Sequence, residues 1–155
     1  DAEYEYDDYN FDGTIDRAGI FGGLSNENFT AADLATTLNV STEVAEGMLA
    51  ANNVIDGGFG SDVIEAGVGD DLILPGTATA TTVDVIDGGD GNDIVVLDGA
   101  QLNWTSEAST NEYEGYTLYS NSAIAGYKLY IKGVEGIEYE DGFESLLVLT
   151  KGVDI

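Results

Sequence analysis

Glycine and aspartate recur at a fixed spacing in the middle of the chain, and they are the residues whose chemistry is easiest to read. The segment Asn53–Asp62 (NVIDGGFGSD) aligns with Asp84–Asp93 (DVIDGGDGND), 31 residues later, with seven of ten positions identical. A further copy, Ala66–Ile73 (AGVGDDLI), begins nine residues after Gly57. The pattern places a carboxylate at the end of each glycine-rich loop, so it offers oxygen ligands for a cation.

Each nine-residue repeat predicts a six-residue loop followed by a three-residue strand. In Gly57–Glu65 the glycines allow positive φ, so the loop carbonyls can turn inward, and Asp62 closes the loop. Two repeats make one turn of a coil, and stacked turns build two parallel sheets. The central apolar residue of each short strand then points into the core; these residues are Ile64, Ile73, Ile86 and Val95.

Stacking of such loops rings each gap with backbone carbonyl and carboxylate oxygens. A site of six or more hard oxygen ligands suits Ca²⁺ far better than Zn²⁺ or Cu²⁺. The ion is expected to be structural, because the stacked carboxylates repel one another without it.

The repeats resemble the RTX (repeats-in-toxin) nonapeptide family, whose pattern is that of a calcium-binding parallel β-roll. Gly57–Glu65 and Gly88–Val96 fit the full pattern, and Ala66–Leu74 fits with Ala66 in place of the first glycine. Met48–Asp56 and Thr79–Asp87 keep only the strand half. The resemblance covers about a third of the chain.

The resemblance implies that loops two repeats apart share an ion. It pairs Asp71 with Asp93, and Asp62 with Asp84, although the loop Thr79–Asp84 lacks its glycines and leaves the second pair in doubt. The implied β-roll ligands, through side chains or carbonyls, are Asp62, Asp71, Asp84, Asp93, Gly57, Phe59, Gly67, Gly69, Gly88, Asp90 and Gly91.

A second calcium candidate precedes the repeats and matches the first half of an EF-hand loop. Gly13 stands at loop position 6, but Gly19 stands at position 12, where a bidentate glutamate is expected. The alternative is a simple acidic turn. The candidate ligands are Asp8, Asn10, Asp12, Thr14 and Asp16.

The flanks of the repeats predict two caps on a mainly β fold: residues 1–52 form an acidic segment and a helical cap, 53–100 the β-roll, and 101–155 a C-terminal antiparallel β cap. Thr30 and Ser41 are expected to begin two short helices. Alternation of Tyr127, Leu129 and Ile131 with polar residues predicts a strand in the C-terminal cap. The whole is expected to fold as one cooperative domain.

Composition excludes several function classes. Asp and Glu number 30 against 4 Lys and Arg, a net charge of −26, which repels nucleic acid and anionic membranes. The chain has no His and no Cys, and no apolar run approaches the length of a membrane span. Paired carboxylates without a cleft do not indicate glycoside hydrolysis, so we expect no enzyme. A halophile's salt-solvated acidic surface is the alternative explanation of the charge, but solvation alone needs no glycines.

These observations predict a calcium-dependent structural or adhesive module of a secreted bacterial protein. The resemblance implies type I secretion and an extracellular or cell-surface location. Three roles stay open: self-assembly into a surface layer, filament or matrix; recognition of a peptide or glycan as part of a large adhesin; and a folding and secretion appendage of an enzyme. The expected partners are calcium ions, and either further copies of the chain or an extracellular peptide or glycan.

Overall fold

The computed structural model describes residues 3–7, 17–22 and 26–146, which form two β-sheets and two helices. The first sheet is built from β1 Glu3–Asp7, β2 Arg17–Phe21, β4 Asn53–Asp56, β6 Leu72–Leu74, β8 Ile94–Val96, β12 Gly136–Tyr139 and β13 Gly142–Ser145. The second contains β3 Asn28–Phe29, β5 Val63–Glu65, β7 Val83–Asp87, β9 Trp104–Ala108, β10 Thr117–Asn121 and β11 Lys128–Lys132. The helices are α1 Ala31–Leu38 and α2 Thr42–Leu49.

The chain alternates between the sheets, as expected for a β-roll. Within the described residues the strand order is β1-β2-β4-β6-β8-β12-β13 in the first sheet and β3-β5-β7-β11-β10-β9 in the second. The pairs from β2 through β12, and from β3 through β11, are parallel. The mainly β class and the β-roll are therefore confirmed, and the parallel pairing extends beyond residues 53–100 on both sides.

The core is a narrow stack of aliphatic side chains between the two sheets. Each short strand buries its central residue and turns its neighbours outward, which is the burial pattern of Val63–Glu65 and Ile94–Val96. The four inward residues predicted from the repeats, Ile64, Ile73, Ile86 and Val95, are all fully buried. Ile20 and Ile137 continue the same stack in strands without the glycine-rich loops. Apolar burial between parallel strands thus holds the coil together laterally.

The two predicted helices form, and they cross between the sheets just before the repeats. The Thr30 hydroxyl accepts a hydrogen bond from the backbone N–H of Asp33, and Ser41 caps Val44 in the same way. Leu34 and Leu49 are buried against the core. The helices therefore cover one end of the aliphatic stack.

A long insertion between β8 and β11 supplies the antiparallel strands at the other end. β9 pairs with β10, and β10 with β11, in antiparallel register. The ring of Trp104 on β9 meets Tyr127 edge-on, with the ring centroids 6.1 Å apart. The strand predicted around Leu129 is confirmed as β11, but it pairs in parallel with β7, so it completes a turn of the coil.

One sequence expectation falls outside the described residues, namely the EF-hand-like half loop with Asp8, Asn10, Asp12, Thr14 and Asp16. Among the residues that are described, no helix is long and apolar enough to cross a membrane.

Candidate metal centre

Loops stack in two columns, one along each edge of the coil. On the first edge the chain passes from the second sheet to the first, through loops 66–71, 88–93 and 133–135. On the second edge it returns, through loops 57–62 and 75–82. Each column carries an acidic residue at or just before the start of a strand, so the fold lines these residues up in rows.

The row on the first edge is a ladder of side chains that each cap the backbone of the preceding turn. Asn53 donates its N–H to Asp71 Oδ1 at 2.7 Å, and Asp71 donates its N–H to Asp93 Oδ1 at 2.9 Å. Asp93 in turn donates its N–H to Glu135 Oε1 at 2.8 Å. One oxygen of each buried carboxylate is therefore committed to the fold.

The second edge repeats this ladder. Glu27 donates its N–H to Asp62 Oδ1 at 2.8 Å, and Asp62 donates its N–H to Asp84 Oδ1 at 2.8 Å. The sequence-predicted pairs, Asp71 with Asp93 and Asp62 with Asp84, are thus neighbours in the structure.

The second oxygens of Asp62 and Asp93 provide the test of whether a cation fits. Both residues are 0% exposed, and within the described part of the chain their Oδ2 atoms have no hydrogen-bond partner. A buried, unsatisfied carboxylate oxygen is costly, and a cation would remove that cost.

Each of these oxygens lies in a cradle beside a glycine. A Cβ at Gly57 would lie 2.7 Å from Asp62 Oδ2 and 2.6 Å from the Pro75 carbonyl oxygen. A Cβ at Gly88 would lie 2.8 Å from Asp93 Oδ2 and would overlap the Gly133 carbonyl oxygen. The two cradles combine a carboxylate with a carbonyl oxygen, which is the donor chemistry that Ca²⁺ takes.

Glycine is also required where the loops of the first edge contact each other. Asp90 donates its N–H to the Gly67 carbonyl at 3.1 Å, and Gly69 donates its N–H to the Asp90 carbonyl at 3.0 Å. Gly91 has φ +122°, and a Cβ there would overlap the Gly69 carbonyl oxygen. Loops 66–71 and 88–93 therefore stack backbone to backbone, with their carbonyls close together.

Burial makes these carboxyl groups hard to ionise without a counter-charge. Burial raises the pKa of Asp62 to about 7 although the hydrogen bond from Glu27 opposes it, and the charges of Asp84 and Glu27 add to the rise. Burial likewise raises the pKa of Asp93 to about 8, with a further rise from the nearby Asp71 and Glu135. A bound cation would reverse this preference and favour the ionised form.

Asp84 differs from the other buried aspartates because a tyrosine takes its second oxygen. The Tyr127 hydroxyl donates to Asp84 Oδ2 at 2.7 Å, and burial raises the pKa of this tyrosine. Burial also raises the pKa of Asp84, to about 6, while the bond from Tyr127 works in the opposite direction. Both Asp84 oxygens thus accept hydrogen bonds from the protein. The row of Asp62 and Asp84 therefore ends at the neutral hydroxyl of Tyr127.

The predicted loop Thr79–Asp84 does not stack as a repeat loop. Instead the Leu74 carbonyl accepts from Gly57 N–H at 2.9 Å, and Thr77 donates its N–H to the Gly58 carbonyl at 2.8 Å. Residues 75–77 therefore take the place of the first half of the loop. The next four residues, 78–81, are an insertion that lengthens this repeat from nine residues to 13.

Two residues of the site were missed in the sequence. Glu135 stands where the next aspartate of the first row would be, but it follows Asp93 by 42 residues instead of 18 or 22. Tyr127 was predicted as a residue of an alternating strand and not as a partner of Asp84. Among the described residues no three carboxylates converge on one point.

The comparisons with known proteins agree with this geometry. Residues 49–77 and 83–99 match the model of the RTX calcium-binding nonapeptide repeat, in four copies. A search of curated proteins found no match. This part of the chain therefore consists of RTX repeats, which bind Ca²⁺, form a structural and non-catalytic module, and are typical of secreted proteins.

The first prediction concerns Asp93. Asp93→Asn keeps an oxygen that can accept from Asp71 N–H but removes the negative charge, so the apparent calcium Kd should rise about tenfold. The matched control is Glu65→Gln, which also removes one negative charge but from an exposed strand residue that is not among the implied ligands. Isothermal titration with Ca²⁺ measures both. Equal Kd values for the two variants would show that Asp93 is not a ligand.

The second prediction concerns Tyr127. Tyr127→Phe leaves Asp84 Oδ2 buried and without its donor, so the free energy of unfolding in saturating Ca²⁺ should fall by about 1–3 kcal/mol. Tyr139→Phe is the control, because its hydroxyl bonds Glu144, whose side chain is only half-buried. Urea denaturation of both variants provides the measurement. A Tyr127 variant that loses no more stability than the control contradicts the assignment.

The third prediction is the pH dependence of the calcium-free chain. The pKa values of Asp62 and Asp93 are raised in the fold, so their contribution to stability is complete below about pH 4 and is lost as the pH rises through about 7 to 8. In EDTA the β signal in circular dichroism should therefore rise as the pH is lowered from about 8 to about 4. A signal that stays flat or falls on acidification would contradict this prediction.

The same pKa shifts predict that calcium binding near pH 7 releases protons, because the ligands must ionise. Calorimetry in two buffers of different ionisation enthalpy measures this release. Asp93→Asn should release fewer protons than the parent chain.

Proposed function

We propose that this chain is a calcium-folded structural module that works outside the cell as part of a secreted bacterial protein. Calcium binding in the loop columns supplies the free energy that closes the coil. The module itself carries out no catalysis in this proposal.

The observation that carries the proposal is the pair of cradles at Asp62 and Asp93. Each holds a buried carboxylate oxygen that has no hydrogen-bond partner among the described residues. An ion that binds only the folded chain stabilises it by mass action, by about 1.4 kcal/mol per site when its concentration is ten times Kd. Several such sites are enough to decide whether a small domain folds.

An extracellular site of action follows from the same linkage. Extracellular calcium modules bind with Kd values of about 10⁻⁴–10⁻³ M, so they are empty in a calcium-poor cytosol. A chain with net charge −26 and vacant cradles then stays poorly folded, which suits export before folding through a type I system. Millimolar calcium outside the cell completes the fold.

Among the roles left open by the sequence, we favour an adhesive module that assembles with further copies. Among the described strands, the second sheet ends at β9, whose residues 105–108 are exposed, and the first sheet ends at β1 and β13. Open strand edges are templates for pairing with another chain. Recognition of a peptide or glycan and service as a folding appendage are the alternative roles.

The fourth prediction is tested by a calcium titration of the EDTA-stripped chain. Circular dichroism and light scattering are both recorded at each calcium concentration. The β signal should appear between about 0.1 and 1 mM Ca²⁺. Mg²⁺ should not replace Ca²⁺, because it requires a small octahedral site and keeps its waters. In saturating Ca²⁺ the apparent molar mass from light scattering should rise with protein concentration, because neutralised columns reduce the self-repulsion of the chain.

The two signals test different parts of the proposal. A stripped chain that is already fully folded would overturn the calcium-folding function. A calcium-folded chain whose scattering stays monomeric at all concentrations would overturn the assembly role and leave the calcium function standing.

A further inference from the structure

A groove of about 620 Å³ opens beside the second loop column, and nothing described so far explains it. Leu97 and Tyr127 form its buried floor. Phe59 and Trp104 form part of the walls, and Phe59 is 50% exposed. We call this the Phe59 groove. Its volume lies in the range of ligand-binding clefts.

The side chains that line the groove offer two carboxylates as hydrogen-bond acceptors and few free donors. The indole N–H of Trp104 already donates to the Asp98 carbonyl at 2.9 Å, and the Tyr127 hydroxyl donates to Asp84. Among the described lining residues, Thr77 is the one other side chain with a donor. A sugar, whose hydroxyls need donors as well as acceptors, therefore fits this lining poorly.

The charge of the groove is negative and unbalanced. Among the described lining residues, the formally charged side chains are Asp56 and Asp98. Asp98 is exposed, and Asp56 Oδ1 accepts the N–H of Gly58 at 3.0 Å. The chain as a whole carries −26, so its field also attracts a cation.

We propose that the Phe59 groove binds a basic side chain, an arginine or lysine, of a partner polypeptide. Such a side chain has donors and no acceptors, which complements this lining. Its aliphatic stem would lie against Phe59 and Trp104, and its charge would face Asp98. This inference goes beyond the assembly role proposed above, and it rests on the calcium-folding function, because the groove is a feature of the folded chain.

The chain provides its own reporter for the test. Trp104 is its one tryptophan, and it lies in the groove wall. The calcium-saturated protein is titrated with the blocked peptide acetyl-Leu-Arg-Leu-amide, and tryptophan emission is followed. A second peptide carries citrulline, the neutral isostere of arginine, in the same place. The arginine peptide should give a saturable change and bind about two- to fivefold tighter than the citrulline peptide, which is the range for a solvent-exposed ion pair.

Two matched variants assign the binding to the groove. Phe59→Ala should weaken arginine-peptide binding about fivefold, the scale of an exposed cation–π contact. Val68→Ala is the control. Val68 is the third residue of the next repeat, as Phe59 is of its own, but its side chain lies outside the groove and is 56% exposed, so this variant should leave binding unchanged. Asp98→Asn should weaken the arginine peptide and not the citrulline peptide.

Several outcomes would overturn the inference: no saturable change in emission, equal affinity for the two peptides, or equal affinity of the parent and the Phe59 variant. Saturable binding of a neutral oligosaccharide without binding of the arginine peptide would assign the groove to a glycan instead. Circular dichroism of the same samples shows whether calcium has folded the chain. Loss of peptide binding by a calcium-folded chain therefore contradicts the groove and not the calcium function.

Discussion

The structure depends on one constraint: carboxylates are buried in rows at the entrances of short parallel strands. Each aspartate uses one oxygen to cap the backbone N–H of the preceding turn, which links successive turns along an edge. The second oxygen is then forced into the gap between loops. Burying it as a bare charge would cost several kcal/mol, so the gap must contain a proton, a hydrogen-bond donor or a cation. Which of these is present decides how that part of the coil closes.

The molecule contains two ways of ending a row without another repeat loop. Tyr127 closes the second row with a hydroxyl on Asp84, and Glu135 closes the first with a longer side chain that reaches Asp93 N–H. Both residues follow the long insertion, where the chain returns to the coil without the glycine-rich loop. The Gly88 cradle, which includes the Gly133 carbonyl, is the point where the C-terminal turn meets the part of the coil that can hold a cation.

The nine-residue spacing was sufficient to predict the loops and the inward residues such as Ile73 and Ile86, and the resemblance to RTX repeats implied the pairing of Asp71 with Asp93. It could not predict that β2, β3, β11 and β12 lie in the same sheets, because parallel pairing requires only backbone hydrogen bonds and one buried side chain per strand. The role of Glu135 was hidden for a related reason. Its relation to Asp93 is set by the 42-residue path through the insertion, and no local pattern encodes it.

The chain that follows the long insertion also contacts both the second loop column and the Phe59 groove. Tyr127 both closes the Asp84 row and forms the groove floor, while Phe59 lies three residues before Asp62 in a single loop. A cation in the Gly57 cradle and a side chain in the groove would therefore act on the same segment, residues 57–62. Coupling between two bound ligands is reciprocal. A side chain in the groove that orders residues 57–62 thus raises the affinity of the Gly57 cradle for calcium. Bound calcium raises the affinity of the groove for that side chain by the same factor.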